Sequence, residues 1–243
     1  MADSSFQDPQ PTTELPTQSK KPTIIVHHLE NSRSQRILWL LEELEIPYDL
    51  KKYKRTAQRL APKELLDVHP LGKSPVITDG DVTLAESGAI VEYLITKYGG
   101  EKAKVPESGW VDNLYFTHYP EGSVQPILVR RLLFRLIPQN LPALIRPIAK
   151  SIFNNLDQRL NVPELERHGK LIEAHLEKTK GWFAGGDTLT SADYMMGFTL
   201  EIFMDRAPEF AGPRIKEYVK QIQDRPAYKK GLEKGGEYVY LLK

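Results

Sequence analysis

The spacing of apolar and polar positions gives the chain two textures. Residues 23–28 (Thr-Ile-Ile-Val-His-His) read as a short strand. Ile37, Leu40, Leu41 and Leu44 then recur at i, i+3, i+4 and i+7, the spacing of one helix face. Pro47 ends that helix, and residues 48–53 predict a second strand. Pro62 suits the first turn of a short helix over 62–69. Asp79-Gly80 separates short β runs at 76–78 and 82–84, the signal for a tight hairpin. A third helix is predicted from Glu86-Ser87 to the glycine stop at Gly99-Gly100. This order, strand–helix–strand, helix, hairpin, helix, predicts a small mixed sheet covered by helices over 22–100. Residues 101–108 read as a polar linker. From 109 to 243 the pattern is helical, with starts near Trp110, Leu128, Pro163, Ser191, Pro213 and Ala227. Residues 1–21, rich in Pro, Ser, Thr and Gln, read as a disordered leader.

Composition narrows the function classes. With 243 residues and 40% hydrophobic content, two ordinary globular cores are possible. Thirty-three Lys+Arg against 32 Asp+Glu leave a net charge of +1, so no general attraction to nucleic acid is expected. No apolar run approaches the ~20 residues of a membrane span, and no signal peptide is visible, which predicts a cytoplasmic protein. There is no cysteine. Disulfides, thiolate-held metals and a cysteine nucleophile are thereby excluded, and any thiol in the chemistry must come with a ligand. His27, His28, His69, His168 and His175 show no metal-ligand spacing, so no metal is expected.

Three segments carry candidate chemistry. In Glu30-Asn-Ser-Arg-Ser34, small polar side chains lie between a strand end and a helix amino end, where free N–H groups stabilise an anion. A serine O–H placed there can donate to a thiolate and lower its pKa. Taken alone, the loop reads first as a plain helix cap. Leu71-Gly-Lys-Ser-Pro-Val76 opens a strand with a proline, suited to a cis Ser74–Pro75 bond and to free backbone beside it. Ala85-Glu-Ser-Gly-Ala89 offers Ser87 for a carboxylate and Glu86 for an ammonium group, or else a capping box between Thr83 and Glu86.

As a set, Asn31-Ser-Arg-Ser-Gln-Arg-Ile-Leu-Trp-Leu-Leu-Glu-Glu-Leu44, His69-Pro-Leu-Gly-Lys-Ser-Pro-Val76 and Glu86-Ser-Gly-Ala-Ile-Val-Glu-Tyr-Leu94 resemble the amino-terminal domain of soluble glutathione transferases. Gly185-Gly-Asp-Thr-Leu-Thr-Ser-Ala-Asp193 resembles the same family's helix-capping segment, with Thr190 and Asp193 at capping-box spacing. Together with Thr117-His-Tyr-Pro-Glu-Gly-Ser123, the pattern is similar to a microbial and fungal branch.

The resemblance implies a thioredoxin-like α/β domain fused to an all-helical domain, with glutathione as co-substrate and a homodimeric assembly. It implies that Ser74, before cis Pro75, pairs with the cysteinyl part of glutathione. Glu86 and Ser87 would hold its γ-glutamyl end and Lys73 its glycyl carboxylate. The thiolate stabiliser is implied four or five positions before Arg36, which gives Ser32 first and Asn31 second, with Ser34 third as a cap. The expected reaction is conjugation to apolar electrophiles or reduction of organic hydroperoxides. The alternative is a glutathione-fold regulator or a carrier of apolar ligands without turnover. For the second substrate, Tyr115, His118, Tyr119 and Ser123 are the expected walls between the halves. Residues 122–156 contain no acidic residue but carry Arg130, Arg131, Arg135, Arg146 and Lys150 among Leu and Ile. That stretch suits a peripheral membrane contact, a pocket or an interface, although its prolines interrupt a long amphipathic helix.

Overall fold

The computed structural model describes residues 24–58 and 60–241; the leader expected over 1–21 lies outside them. Its sheet has the order β2-β1-β3-β4. β1 (Ile24–Leu29) pairs parallel with β2 (Asp49–Tyr53) and antiparallel with β3 (Val76–Asp79), which continues into β4 (Val82–Ala85). β1 is buried almost throughout, as an interior strand covered on both faces must be.

Between β1 and β2 runs α1 (Gln35–Glu43), and residues 35–42 of it are all buried. It is enclosed because it lies under the sheet and also against two helices of the second half. Trp39 packs edge-on to Tyr194 and Tyr228, with centroids 4.8 and 5.8 Å away. α2 (Lys63–Val68) follows, with Pro62 just outside it as the cap residue. α3 (Ser87–Leu94) continues through a widened turn, Ile95–Gly99, into a 3-10 turn, Gly100–Ala103. With a second 3-10 turn at Glu107–Gly109, both ends of the stretch expected as a polar linker are helical turn. The capping box offered as the alternative between Thr83 and Glu86 does not form: Thr83 lies within β4 opposite Thr78, and Glu86 itself is the cap residue of α3, with no side-chain capping bond.

The second half begins with α4 (Trp110–Tyr119), which passes through a widened turn at Pro120–Val124 into α5 (Gln125–Gln139). Pro120 has no N–H to give the helix, and the widened turn absorbs that defect without a break. Then come α6 (Arg146–Leu156), α7 (Val162–Thr179), α8 (Ser191–Arg206), α9 (Pro213–Asp224) and α10 (Pro226–Gly235). α6 is the helix that the pattern reading missed. Pro147 falls in its first turn, where a proline fits, rather than breaking it.

α8 is the axis of this half, buried from Ser191 to Phe203. The capping box of Thr190 and Asp193 starts it. Asp193 also accepts the Phe183 N–H and the Tyr218 hydroxyl, each at 2.9 Å, so one carboxylate ties three segments together. α9 is started from a distance: Glu173 of α7 accepts the N–H groups of Arg214 and Ile215 at 3.0 and 2.7 Å. After α10 the chain turns back, and Tyr238 donates to Glu201 of α8. No helix among the described residues is long and apolar enough to cross a membrane.

Candidate functional site

The loop from β1 into α1 places Asn31, Ser32, Arg33 and Ser34 at the carboxyl end of the central strand. Asn31 adopts a φ of 50°, a conformation that asparagine tolerates better than most residues. Its Oδ1 accepts the N–H of Val239 at 3.0 Å, so the returning tail holds the loop. Ser34 occupies the cap position of α1, yet its hydroxyl makes no capping bond. It contacts Nδ1 of His28 and Oγ of Ser32, both at 2.8 Å. The simple capping reading of this loop therefore fails. Both hydroxyls face other side chains instead, and Ser32 Oγ lies 3.5 Å from Oγ of Ser74.

Ser74 stands just before the β3 ladder, and its bond to Pro75 is cis. Its hydroxyl donates to the carbonyl of His27 at 2.9 Å and accepts the Leu29 N–H at 3.2 Å, which binds the 71–76 segment to β1. Glu86 has a φ of 71°, an unfavourable value for a residue with a Cβ, held at the junction of β4 and α3.

Two clefts meet at these residues. A small polar cleft of about 190 Å³ is lined by Arg33, His69, Leu71, Lys73, Ser74, Pro75, Ala85, Glu86, Ser87 and Glu121. It brings together all five residues expected to hold glutathione: Lys73, Ser74, Pro75, Glu86 and Ser87. Both charge signs are present, cations from Arg33 and Lys73 and carboxylates from Glu86 and Glu121. A zwitterionic ligand with extra carboxylates matches such a lining, and the amino end of α3 adds positive potential at Ser87.

A larger cleft of about 640 Å³ shares Arg33, Lys73 and Ser74 with the first and contains Asn31 and Ser32. Its far wall belongs to the helical half. Gln125, Val129, Leu132 and Leu136 supply one face of α5 at i, i+4, i+7 and i+11, and Phe198, Ile202 and Arg206 supply one face of α8. Tyr240 of the tail closes one side.

Tyr115, His118, Tyr119 and Ser123, expected to form this wall, are absent from both clefts. The inward side of α4 is instead Asn113 and Thr117, which bond Ser191 at the start of α8. Tyr119 is buried against His168, Tyr115 is exposed and stacks on Tyr119, and His118 faces Glu92 on the surface. The widened turn at Pro120–Val124 then changes the helical phase, and it is α5 rather than α4 that lines the larger cleft.

Behind the clefts lies a charged layer that the sequence did not reveal. Arg36 is fully buried in α1 and donates to Glu121 at 2.8 Å, to the Met195 sulfur at 3.3 Å, and lies over the Phe198 ring. Arg33 shares the same Glu121 at 3.0 Å. Burial pulls the pKa of Arg36 down, with Glu121 opposing. Burial likewise pushes Glu201 up, against hydrogen bonds from Tyr228, Tyr238 and Gln223. Burial holds the neighbouring His28 neutral, its pKa lowered to about 4. Of the basic run at 122–156, Arg131 pairs with Asp157 and Glu209, Arg130 bonds Asn161, and Arg135 bonds the Arg206 carbonyl.

Comparison with known proteins agrees with this geometry. Residues 21–96 match the family described as Glutathione S-transferase, N-terminal domain. Glutathione S-transferase 3 of Schizosaccharomyces pombe is 34% identical over 87% of this chain and 87% of its own length. Glutathione S-transferase 1 of Saccharomyces cerevisiae is 32% identical over 88% of this chain and 95% of its own. A solved glutathione S-transferase from Actinobacillus pleuropneumoniae superposes with a TM-score of 0.66 at 30% identity, covering 87% of this chain and 92% of the other. Ure2p in complex with glutathione shares the fold at 18% identity, with a TM-score of 0.66 and coverage of 88% of this chain and 100% of the other. The chain belongs to the glutathione S-transferase family.

Proposed function

We propose that this protein is a serine-type transferase that binds glutathione in the small polar cleft and uses Ser32 to hold its thiol as thiolate. The observation that carries the reading is the position of Ser32 Oγ. Two residues before the cap of α1, it accepts the Ser34 N–H at 3.3 Å, lines the larger cleft, and stands beside Ser74, which both clefts share. Lys73 and Arg33 face the glycyl carboxylate end, while Glu86 and Ser87 face the γ-glutamyl end. The α5 and α8 wall holds an apolar electrophile or an organic hydroperoxide against the sulfur. Lowering a thiol pKa by two units corresponds to about 2.7 kcal/mol, within reach of one hydroxyl donor plus a helix amino end.

Ultraviolet titration of glutathione bound to wild-type protein and to Ser32→Ala tests this. The bound thiol is expected to titrate well below the ~8.5 of an ordinary thiol, and Ser32→Ala to move it back up. A lowered value that Ser32→Ala leaves unchanged transfers the role to Asn31 or Ser34. Glutathione bound with an unshifted thiol refutes catalysis and favours a regulator or carrier.

The same reading makes the protein a cytoplasmic homodimer. Support comes from the exposed apolar row Trp110, Val111, Leu114 and Tyr115 along α4. A monomeric mass in sedimentation would contradict it. A peripheral membrane contact rests on Leu144, Ile145, Ile148 and Ile152, which face outward around α6. Failure to float with anionic vesicles would remove it.

A further inference from the structure

The proton inventory of the β1–α1 loop extends the serine reading, on which it rests, to a residue outside both clefts. Each serine hydroxyl has one proton to donate. Ser74 spends its proton on the His27 carbonyl at 2.9 Å. The contact between Ser32 and Ser74 at 3.5 Å therefore has Ser32 as donor, and the Ser32 proton lies on the side of Ser74, which lines both clefts. Ser34 has two acceptors for its proton other than the His28 ring, Ser32 Oγ at 2.8 Å and the Leu29 carbonyl at 3.4 Å. The shorter contact assigns it to Ser32 Oγ, which the Ser34 backbone N–H also approaches at 3.3 Å. With its own proton so placed, Ser34 Oγ can meet the His28 ring, 2.8 Å away, only as an acceptor. The donor in that last contact is Nδ1–H of His28.

We propose that His28 is a positioning residue: its Nδ1–H fixes the direction of a His28–Ser34–Ser32 hydrogen-bond chain so that the Ser32 hydroxyl always presents its proton to the cleft. The opposite tautomer would reverse the chain. Ser34 would then donate to His28 and Ser32 to Ser34, leaving Ser32 with only a lone pair toward an anionic sulfur. Ser34 is wholly buried and His28 nearly so, and only the Ser32 end of the chain borders the cleft. In such surroundings hydrogen bonds polarise one another, and a directed chain strengthens its terminal donor. Burial and Lys52 act to keep the ring neutral, Glu30 opposing, so it carries a single N–H. Both the ring and the Gln35 side chain lie against Gly235 of α10: a Cβ there would come within 3.4 Å of His28 Cε1 and 2.9 Å of Gln35 Oε1.

Two measurements test the assignment. In ¹⁵N-histidine NMR of the intact protein, His28 is expected as the Nδ1–H tautomer; an Nε2–H tautomer overturns the proposal without any substitution. The second is the titration of bound glutathione in His28→Leu and His28→Asn. Leu removes the donor, and the bound thiol pKa is expected to rise by about one unit, a tenfold loss of thiolate near neutral pH. Asn offers an N–H close to the Nδ1 position and is expected to restore most of the shift. Should His28→Leu fail to fold, the tautomer and His28→Asn still decide. In a Ser34→Ala background, His28→Leu is expected to add nothing, since the middle of the chain is already gone. A thiol pKa lowered in wild type but equally low in His28→Leu refutes the role of His28 alone. A wild-type thiol that is not lowered refutes the serine reading beneath it.

Discussion

Asp193 is the residue whose replacement should cost most for the smallest change of shape. Its Oδ1 accepts the Phe183 N–H and the Tyr218 hydroxyl, and its Oδ2 accepts the Thr190 N–H at 2.9 Å and the Thr190 hydroxyl at 3.0 Å. Burial raises its pKa, but four donors converge on it, and none of the two N–H groups can accept a proton from a neutral acid. Asp193→Asn keeps the outline and exchanges one oxygen for an NH₂. Whichever way the amide is turned, that NH₂ meets one hydroxyl, which can rotate away, and one backbone N–H, which cannot. One buried N–H left unsatisfied costs about 1–3 kcal/mol, and loss of charge from the remaining bonds adds roughly 1–2 more. The total of about 4 kcal/mol corresponds to a fall of roughly 8–16 °C in the thermal midpoint for a chain of this size. Circular dichroism at 222 nm during heating measures it. A midpoint within about 2 °C of wild type would show that the carboxylate charge is not what holds the start of α8.

Three further outcomes follow from contacts elsewhere. Glu42 of α1 is gripped by Lys230 and Lys234 of α10 and by Tyr48, and these bonds outweigh burial to hold its pKa below the ordinary carboxylate value. A depressed folded pKa gives stability that is present above the unfolded value near 4.5 and lost as pH falls through the folded one; Glu42→Gln should therefore flatten the acid side of the Tm–pH curve, and an unchanged slope would argue against the grip. Leu132→Trp in the α5 wall should raise KM for an apolar electrophile about tenfold with the Kd for glutathione unchanged, whereas Tyr115→Ala should leave both alone; steady-state kinetics with the reverse pattern would return the second-substrate site to α4. A Cβ at Gly109 would stand 1.8 Å from the Ala184 carbonyl oxygen, so Gly109→Ala should destabilise by about 3 kcal/mol, read by urea unfolding, and a neutral result would mean that this contact yields.

The sequence was most legible where local rules act alone. The strand, helix and hairpin signals of the first half landed within a residue or two because turn chemistry at Asp79-Gly80 and periodicity at Ile37 to Leu44 are set by neighbours in the chain. The capping box at Thr190 was readable for the same reason. Legibility failed where geometry depends on long-range phase. Three prolines at 138, 142 and 147 suggested interruption, yet they delimit α5 and α6. A widened turn at Pro120 rotated the wall of the larger cleft from α4 to α5, and nothing in the spacing of Tyr115, His118 and Tyr119 foretells it. A helix starting near Leu128 was legible; that Val129, Leu132 and Leu136 border a cleft depends on α8 and the tail. Ser34 was misread as a cap because capping is its commonest use, and only the fold shows His28 beside it.

The buried charges explain why the loop can be so ordered without being rigid by composition. Residues 30–34 contain no proline, and the chain at Asn31 takes a left-handed turn. What fixes the loop comes from far along the sequence. Val239 bonds the Asn31 side chain, Glu121 gathers Arg33 and Arg36, and Met195 and Phe198 of α8 cover the Arg36 guanidinium. Removing Glu121 would leave the buried guanidinium without its counter-charge, a loss of about 3–5 kcal/mol, so the Arg36–Glu121 pair holds α1 to the turn that leads into α5. Ser32, four residues earlier, inherits that placement. The thiol-facing hydroxyl is thus set by the helical half as much as by the sheet that carries it, and the two clefts meet at a point where neither half alone holds both walls.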